Sequence, residues 1–258
     1  AQTGQQYLYQ VQLEDLNEEQ YFEFELISAP AGMQVDEEGL VRWLPSDTQL
    51  DSQYVTLSVN DGFERVLQKF TLYVNILPLV IEKPGPVAFI NEPYVGQVSI
   101  QDKNSYNSAR LIPLRTPRSL ILESSGRITW VPETQQTGFH DILFELTDDM
   151  STMLDSFTIF VNTPPVIISK YEEHVPVGKP WNYKVEVNDP NNNQDISFLL
   201  SESSIPNLTI SRRGHITWTP TEAELGKQTF TISVSDGLRD DLQKVTVYVN
   251  GAPVLGSV

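Results

Sequence analysis

Three segments of the chain carry one pattern: Gly39-Leu-Val-Arg-Trp43-Leu-Pro45, Gly126-Arg-Ile-Thr-Trp130-Val-Pro132 and Gly214-His-Ile-Thr-Trp218-Thr-Pro220. Their tryptophans stand 87 and 88 residues apart. Other landmarks keep the same phase: Tyr7, Tyr94 and Trp181; Asp15, Asp102 and Asp189; Asp61, Asp148 and Asp236; Asn75, Asn162 and Asn250. Self-similarity at a fixed period means that one structural unit is built repeatedly. At roughly 100–200 residues per domain, the 258 residues accommodate two or three domains,. The repeat selects three, with expected boundaries at 1–77, 78–163 and 164–250. The first lacks an initial strand that the others have, and 251–258 reads as the start of a further one.

Within each copy the apolar period is two. Val55, Leu57 and Val59 alternate with Thr56 and Ser58, and the counterparts are Ile142, Phe144, Leu146 and Phe230, Ile232, Val234. The last strand of each copy repeats the alternation: Phe70, Leu72, Val74; Phe157, Ile159, Val161; Val245, Val247, Val249. Such alternation marks strands with one face on a core. Gly and Pro punctuate the copies at hairpin spacing, and only Thr221-Glu-Ala-Glu-Leu225 suggests a single helical turn,. The expectation is an all-β chain of three tandem Greek-key β-sandwiches, immunoglobulin-like or cadherin-like. Short linkers such as Val161-Asn-Thr-Pro-Pro165 restrict the backbone and predict an extended rod,. Trp43, Trp130 and Trp218 read as core residues spanning the gap between sheets,. The alternative, a sugar-stacking platform, requires an exposed ring.

Composition narrows the partners. A net charge of −17 repels phosphate backbones and anionic membrane surfaces, so no nucleic acid and no membrane insertion are expected,. There is no cysteine, which removes disulfides, thiolate metal sites and thiol nucleophiles, and leans toward a bacterial or archaeal source,. The acidic surplus serves solubility or supplies oxygen ligands to a divalent cation.

The order Gly-x-Ile-x-Trp-x-Pro, then Ser-Asp-Gly, then a strand ending Val-Asn-x-x-Pro resembles the bacterial cadherin-like and dystroglycan-type immunoglobulin-like repeats. The third copy carries it most fully, in His215-Ile-Thr-Trp218-Thr-Pro220, Ser235-Asp236-Gly237 and Val249-Asn250-Gly-Ala-Pro253. Its Asn188-Asp189-Pro-Asn191-Asn-Asn-Gln-Asp195 resembles the family's acidic loop after the second strand. The first copy keeps Asn60-Asp61-Gly62, whereas the second has Asp149 in place of that glycine. The resemblance implies an extracellular or cell-surface (alternatively periplasmic) spacer, adhesion or self-assembling module. Its partners would be other copies of itself, neighbouring immunoglobulin-like repeats, a cell-surface protein or carbohydrate. A calcium-dependent carbohydrate-binding module is the second reading.

No cofactor is required by the sequence, and calcium is the one candidate. In this fold the loop after the second strand and the loop before the last strand share a pole. Asp189, Asn191 and Asp236 should therefore meet there, facing Asn162 and Glu133. A weaker set, Asp102, Asn104, Asp148 and Asn75, with Asp47 nearby, marks the junction of the first two copies. Calcium takes six to eight oxygens, several of them charged, and many of these are neutral amides. The competing reading is that Asn and Asp shape turns.

Catalysis is not expected. The three histidines, His140, His174 and His215, fall at no metal-ligand spacing, and no nucleophile elbow or phosphate loop is present,. Paired carboxylates such as Asp148-Asp149 and Asp240-Asp241 read as solvated surface in so acidic a chain,. The first strands Leu79-Val80-Ile81 and Val166-Ile167-Ile168 have a late echo in Ala252-Pro253-Val254-Leu255. Either the chain is an excerpt of a longer array, or Val254–Val258 pairs head to tail with the open edge of the first copy in the next molecule.

Overall fold

Alternating side chains need a surface on either side of the backbone, and paired strands provide it. The computed structural model describes residues 1–14, 21–192, 194–203 and 205–253. Asp15 and the terminal segment Val254–Val258 lie outside the described residues. Among the described residues all regular structure is β-strand apart from two 3-10 turns, Thr134–Gln136 and Glu222–Glu224. The chain divides into two compact units. One comprises Ala1–Pro86, Tyr94–Trp130 and His140–Ile159; the other comprises Val87–Pro93, Val131–Phe139 and Phe160–Val258.

In the first unit, strands Tyr7–Gln10, Leu40–Trp43 and Gln34–Val35 form one sheet in that order. Strands Glu23–Ser28, Asp51–Asn60 and Arg65–Val74 form another. The predicted landmarks pair directly: Tyr7 lies opposite Trp43. The inward set Val41, Trp43, Val55, Leu57 and Val74 makes the core. The same unit holds Tyr94–Gln97, Arg127–Trp130 and Ile121–Leu122, with Tyr94 opposite Trp130.

In the second unit the pattern recurs. Trp181–Lys184, His215–Trp218 and Thr209–Ile210 make one sheet, with Trp181 opposite Trp218. His174–Pro176, Asp240–Asn250, Gly226–Ser235 and Ser197–Ser201 make the other. His174–Pro176 runs parallel to the last strand, as Val87–Phe89 does to Phe160–Asn162. An isolated parallel bridge from Gln2 to Asn75 holds the matching position in the first copy. The architecture is thus all-β, with immunoglobulin-like β-sandwiches in tandem.

All four tryptophans are buried, Trp43 and Trp130 at 2% exposure and Trp181 and Trp218 at 3%. None offers a stacking face to a sugar. The glycine that opens each Trp strand has a steric reason. Gly39 and Gly214 sit at φ 77° and 73°, where an added Cβ would stand 2.7 Å from the Phe24 and Phe198 rings respectively,.

Candidate functional site

Each copy's last strand runs out at an asparagine, Asn75 directly after Val74 and Asn162 and Asn250 as final strand residues, and beyond it the backbone leaves the ladder. A carbonyl and an N–H are therefore left to be satisfied as the chain enters the next copy. A side-chain amide supplies one acceptor and one donor group, so a single asparagine can meet both needs. Asn104 accepts from Ile76 N at 2.9 Å and donates to Val74 O at 2.8 Å. Asn191 accepts from Thr163 N at 2.7 Å and donates to Val161 O at 3.1 Å. Each clamp is shaped by the aspartate two residues earlier. Asn104 N donates to Asp102 Oδ1 at 2.9 Å, and Asn191 N to Asp189 Oδ1 at 2.8 Å.

The strand-ending asparagines then latch onto the next copy. Asn75 Nδ2 donates to Asp148 Oδ2 at 2.7 Å, and Asn162 Nδ2 to Asp236 Oδ2 at 2.8 Å. The other oxygen of each aspartate shapes its own hairpin. Asp148 Oδ1 accepts from Met150 N at 2.9 Å and Ser151 N at 2.6 Å. Asp236 Oδ1 accepts from Leu238 N and Arg239 N, both at 2.7 Å. Asp61 keeps the turn bonds, from Phe63 N at 2.8 Å and Glu64 N at 2.7 Å. At Asp148 and Asp236 one oxygen thus serves the hairpin turn while the other accepts from the asparagine that ends the preceding copy. Asn75, Asn162 and Asp148 are at most 2% exposed, so these bonds form away from water, where an unmade one costs most,.

The junctions differ in their surroundings. At the first, Asp51 accepts from Asn104 Nδ2 at 3.1 Å, Ser105 N at 2.9 Å and Ser105 Oγ at 2.6 Å. The Tyr106 hydroxyl donates to Asn75 Oδ1 at 3.1 Å. Burial first, and then the charges of Asp148, Asp51 and Asp102, push its pKa up to about 12,. Burial also opposes ionisation of Asp148, but the Asn75 amide and the Ser151 and Met150 N–H groups together hold its carboxyl below the usual range. At the second junction the balance reverses for Asp189. Burial, together with the charge of Asp236, raises its pKa against the lowering effect of Asn191 N–H. Arg239 stacks 3.7 Å from the Phe89 ring centroid and bonds Glu92 Oε2 at 2.8 Å.

Asp51 was not among the residues picked out by sequence, although a signal existed. It stands in register with Gly138 and Gly226 and shares their left-handed backbone, at φ 65° against 108° and 94°. Glu133 is placed apart from the expected set. It heads the turn Thr134–Gln136, where its N–H donates to Gln136 Oε1 at 2.9 Å and its carboxylate accepts from Gln135. Thr137 of that turn meets Thr163 of the linker, Oγ1 to Oγ1, at 2.5 Å. Asp47 is exposed on a turn.

Several buried oxygens lack a hydrogen-bond partner: Asp102 Oδ2 and Asn107 Oδ1 at the first junction, Asn162 Oδ1, Asp189 Oδ2 and Gln194 Oε1 at the second. Among the described residues no group of three or more His, Cys, Asp or Glu side chains is placed to hold a metal ion. The donor set is thus mainly amide oxygen, poorer in charge than calcium sites usually are. The adjacent carboxylates have structural partners. Asp149 takes the Arg110 guanidinium at 2.5 and 2.7 Å, and Asp241 Oδ2 accepts from Ile167 N at 2.7 Å.

The family model described as "Putative Ig domain" matches residues 164–250. No curated protein matches the chain. Among solved structures, the chain is similar to the N-terminal eight Ig domains of Down Syndrome Cell Adhesion Molecule, with a TM-score of 0.61 at 9% identity. That likeness covers 98% of this chain and 35% of the other, so the chain spans about a third of that fragment. Titin domains I67–I69 give a TM-score of 0.51 at 12% identity, over 96% of this chain and 94% of that one. Extracellular domains 3–5 of Drosophila OTK give 0.50 at 8% identity, over 96% and 93%. Identities this low carry the fold alone, a tandem of immunoglobulin-like domains.

Proposed function

We propose that the chain is a non-catalytic structural and adhesion module of a cell-surface or secreted protein, in which Asn–Asp latches fix each immunoglobulin-like domain to the next. One observation carries this reading: the same hydrogen bonds recur at both junctions, from Asn75 to Asp148 and from Asn162 to Asp236. Domain interfaces within a chain allow relative motion unless specific contacts oppose it. A buried asparagine whose partner sits on the next domain is such a contact. The similarity to an adhesion molecule and to extracellular domains supports the cellular setting.

The test is orientational. Residual dipolar couplings from the first copy and from the domain that follows the Asn75 latch should fit one alignment tensor. Asn75→Ala should split that tensor in two and cost about 1–3 kcal/mol, the desolvation left on Asp148 and its neighbours. Two separate tensors in the native chain would refute the latch.

A second reading, calcium at the second junction, is favoured by the three unpartnered oxygens Asn162 Oδ1, Asp189 Oδ2 and Gln194 Oε1. Because the folded pKa of Asp189 is raised, its contribution to stability is full below the ordinary carboxylate pKa of about 3.9 and is lost as pH rises through the folded value,. In chelator at neutral pH, Asp189→Asn should therefore raise the Tm. Millimolar calcium should raise the Tm of the native chain to a plateau, by mass action on the folded state, and leave the variant unmoved. A native chain indifferent to calcium would return the junction to hydrogen bonds alone.

A further inference from the structure

A turn leads into the short edge strand beside each Trp strand, and it recurs through the repeat. In the first two copies a backbone bond closes it, from Met33 N to Pro30 O at 3.1 Å and from Leu120 N to Pro117 O at 3.2 Å. Its third residue is left-handed in every copy: Gly32 at φ 81°, Ser119 at 67° and Asn207 at 61°. Glycine and serine hold this position too, so the turn alone does not select an amide there. Asn207 opens the sequence Asn207-Leu-Thr209, which has the acceptor pattern Asn-x-Ser/Thr, and no other asparagine of the chain does,.

That pattern sits where a large substituent has room. Asn207 and Thr209 are both exposed. Among the described residues neither side chain has a hydrogen-bond partner. The junction asparagines are the contrast: Asn75, Asn104, Asn162 and Asn191 are buried, and each gives its amide to a strand end or an aspartate. Thr209 lies on the edge strand opposite Thr217, which lies opposite Asn182, and all three face solvent. The equivalent row in the second copy is Ile121, Thr129 and Val95, whose two aliphatic side chains are 59% and 67% exposed. In the first copy it is Gln34, Arg42 and Leu8, with Leu8 56% exposed. Of the three rows, the one beside Asn207 alone carries only hydroxyl and amide groups. Such groups exchange hydrogen bonds with water and with sugar hydroxyls alike.

We propose that Asn207 is an N-glycosylation site, the acceptor of an oligosaccharide carried on a polyprenyl diphosphate. This inference rests on the secreted or cell-surface setting proposed above. The Asn207 Nδ2 nitrogen forms a bond to the anomeric carbon of the first sugar. The bond from that carbon to the diphosphate oxygen breaks, the departing polyprenyl diphosphate keeps the electron pair, and one amide proton goes to solvent. The product is a bulky, solubilising chain at the edge of the third copy, beside the polar row Thr209, Thr217 and Asn182.

Translation of the full chain behind a cleavable secretion signal, with microsomes from the endoplasmic reticulum, tests this. Translocated chain is scored by its protection from added protease. It should be heavier by one oligosaccharide. Peptide-N-glycosidase should remove that mass and leave aspartate at 207, read by mass spectrometry of the peptide. Asn207→Gly keeps the left-handed turn, as Gly32 does in the first copy. It should abolish the heavier form and leave the melting midpoint in place. Thr209→Ala should also abolish the heavier form, and Thr209→Ser should retain it. A protected native chain without glycan, or a glycan that survives Asn207→Gly, overturns the proposal. Neither result bears on the dipolar-coupling test of the latches, which uses unglycosylated chain.

Discussion

Trp43→Ala should destabilise the first immunoglobulin-like copy by about 3–5 kcal/mol, the range for emptying a buried aromatic site. The indole is 2% exposed and packs among Val41, Val55, Leu57 and Val74, where the two sheets of that copy face each other. Its N–H donates to Ala31 O at 3.2 Å, a bond that alanine also deletes. Domains of this size hold about 5–15 kcal/mol in total, and small sandwiches stand at the lower end. The loss is thus a large share of what keeps the copy folded. Calorimetry should resolve it as one transition displaced downward by more than about 12 °C, because 1 kcal/mol moves a domain of 60–100 residues by about 4–8 °C. The other copies should melt near their native temperatures, an explicit departure from two-state behaviour. A native-like thermogram would mean that the ring does not hold the sheets together, and would reopen the sugar-stacking reading.

The fold was legible because burial in a strand is written at period two and the repeat supplied three independent copies of the message. Tyr7, Tyr94 and Trp181 held phase with the Trp strand because each lies directly opposite it. The junction was legible as a location for the same reason. Asn75, Asn104, Asp102 and Asp148 recur in phase, and topology brings them to one pole. What they do there was not legible. An amide that spans the carbonyl and the N–H flanking a strand end depends on distances of a few tenths of an ångström, and residue type alone suits a cation site equally well. Glu133 shows the limit from the other side. It is near the linker in sequence, but its own turn offers closer partners, Gln135 and Gln136, and short-range closure prevails. Asp51 was hidden by chemistry: its counterparts are glycines, so the only trace was a departure from the repeat.

The latch itself should be measurable at Asp148. Alanine there removes the acceptor from Asn75 Nδ2, Met150 N, Ser151 N and Ser151 Oγ in a fully buried setting. Leaving buried donors unpaired costs about 1–3 kcal/mol each before relaxation, so a total of about 3–5 kcal/mol is expected. Asp148→Asn is no remedy. Its amide nitrogen would confront one of the donors that the carboxylate now serves. Because the folded pKa of Asp148 is depressed, its stabilisation is full above the ordinary carboxylate pKa of about 3.9 and is lost as pH falls through the folded value,. The native Tm should therefore drop with acid in that window. The Asn variant, already lower at neutral pH, should lack this component of the drop. Asp61→Ala is the internal control. It deletes the same two hairpin bonds, from Phe63 N and Glu64 N, at a pole where no preceding strand end is latched. The excess loss at 148 over 61, less the Ser151 hydroxyl bond that has no counterpart at Glu64, is the part that belongs to the junction. Equal losses at the two positions would reduce Asp148 to a turn residue, and would leave Asn75 without a role in holding successive domains.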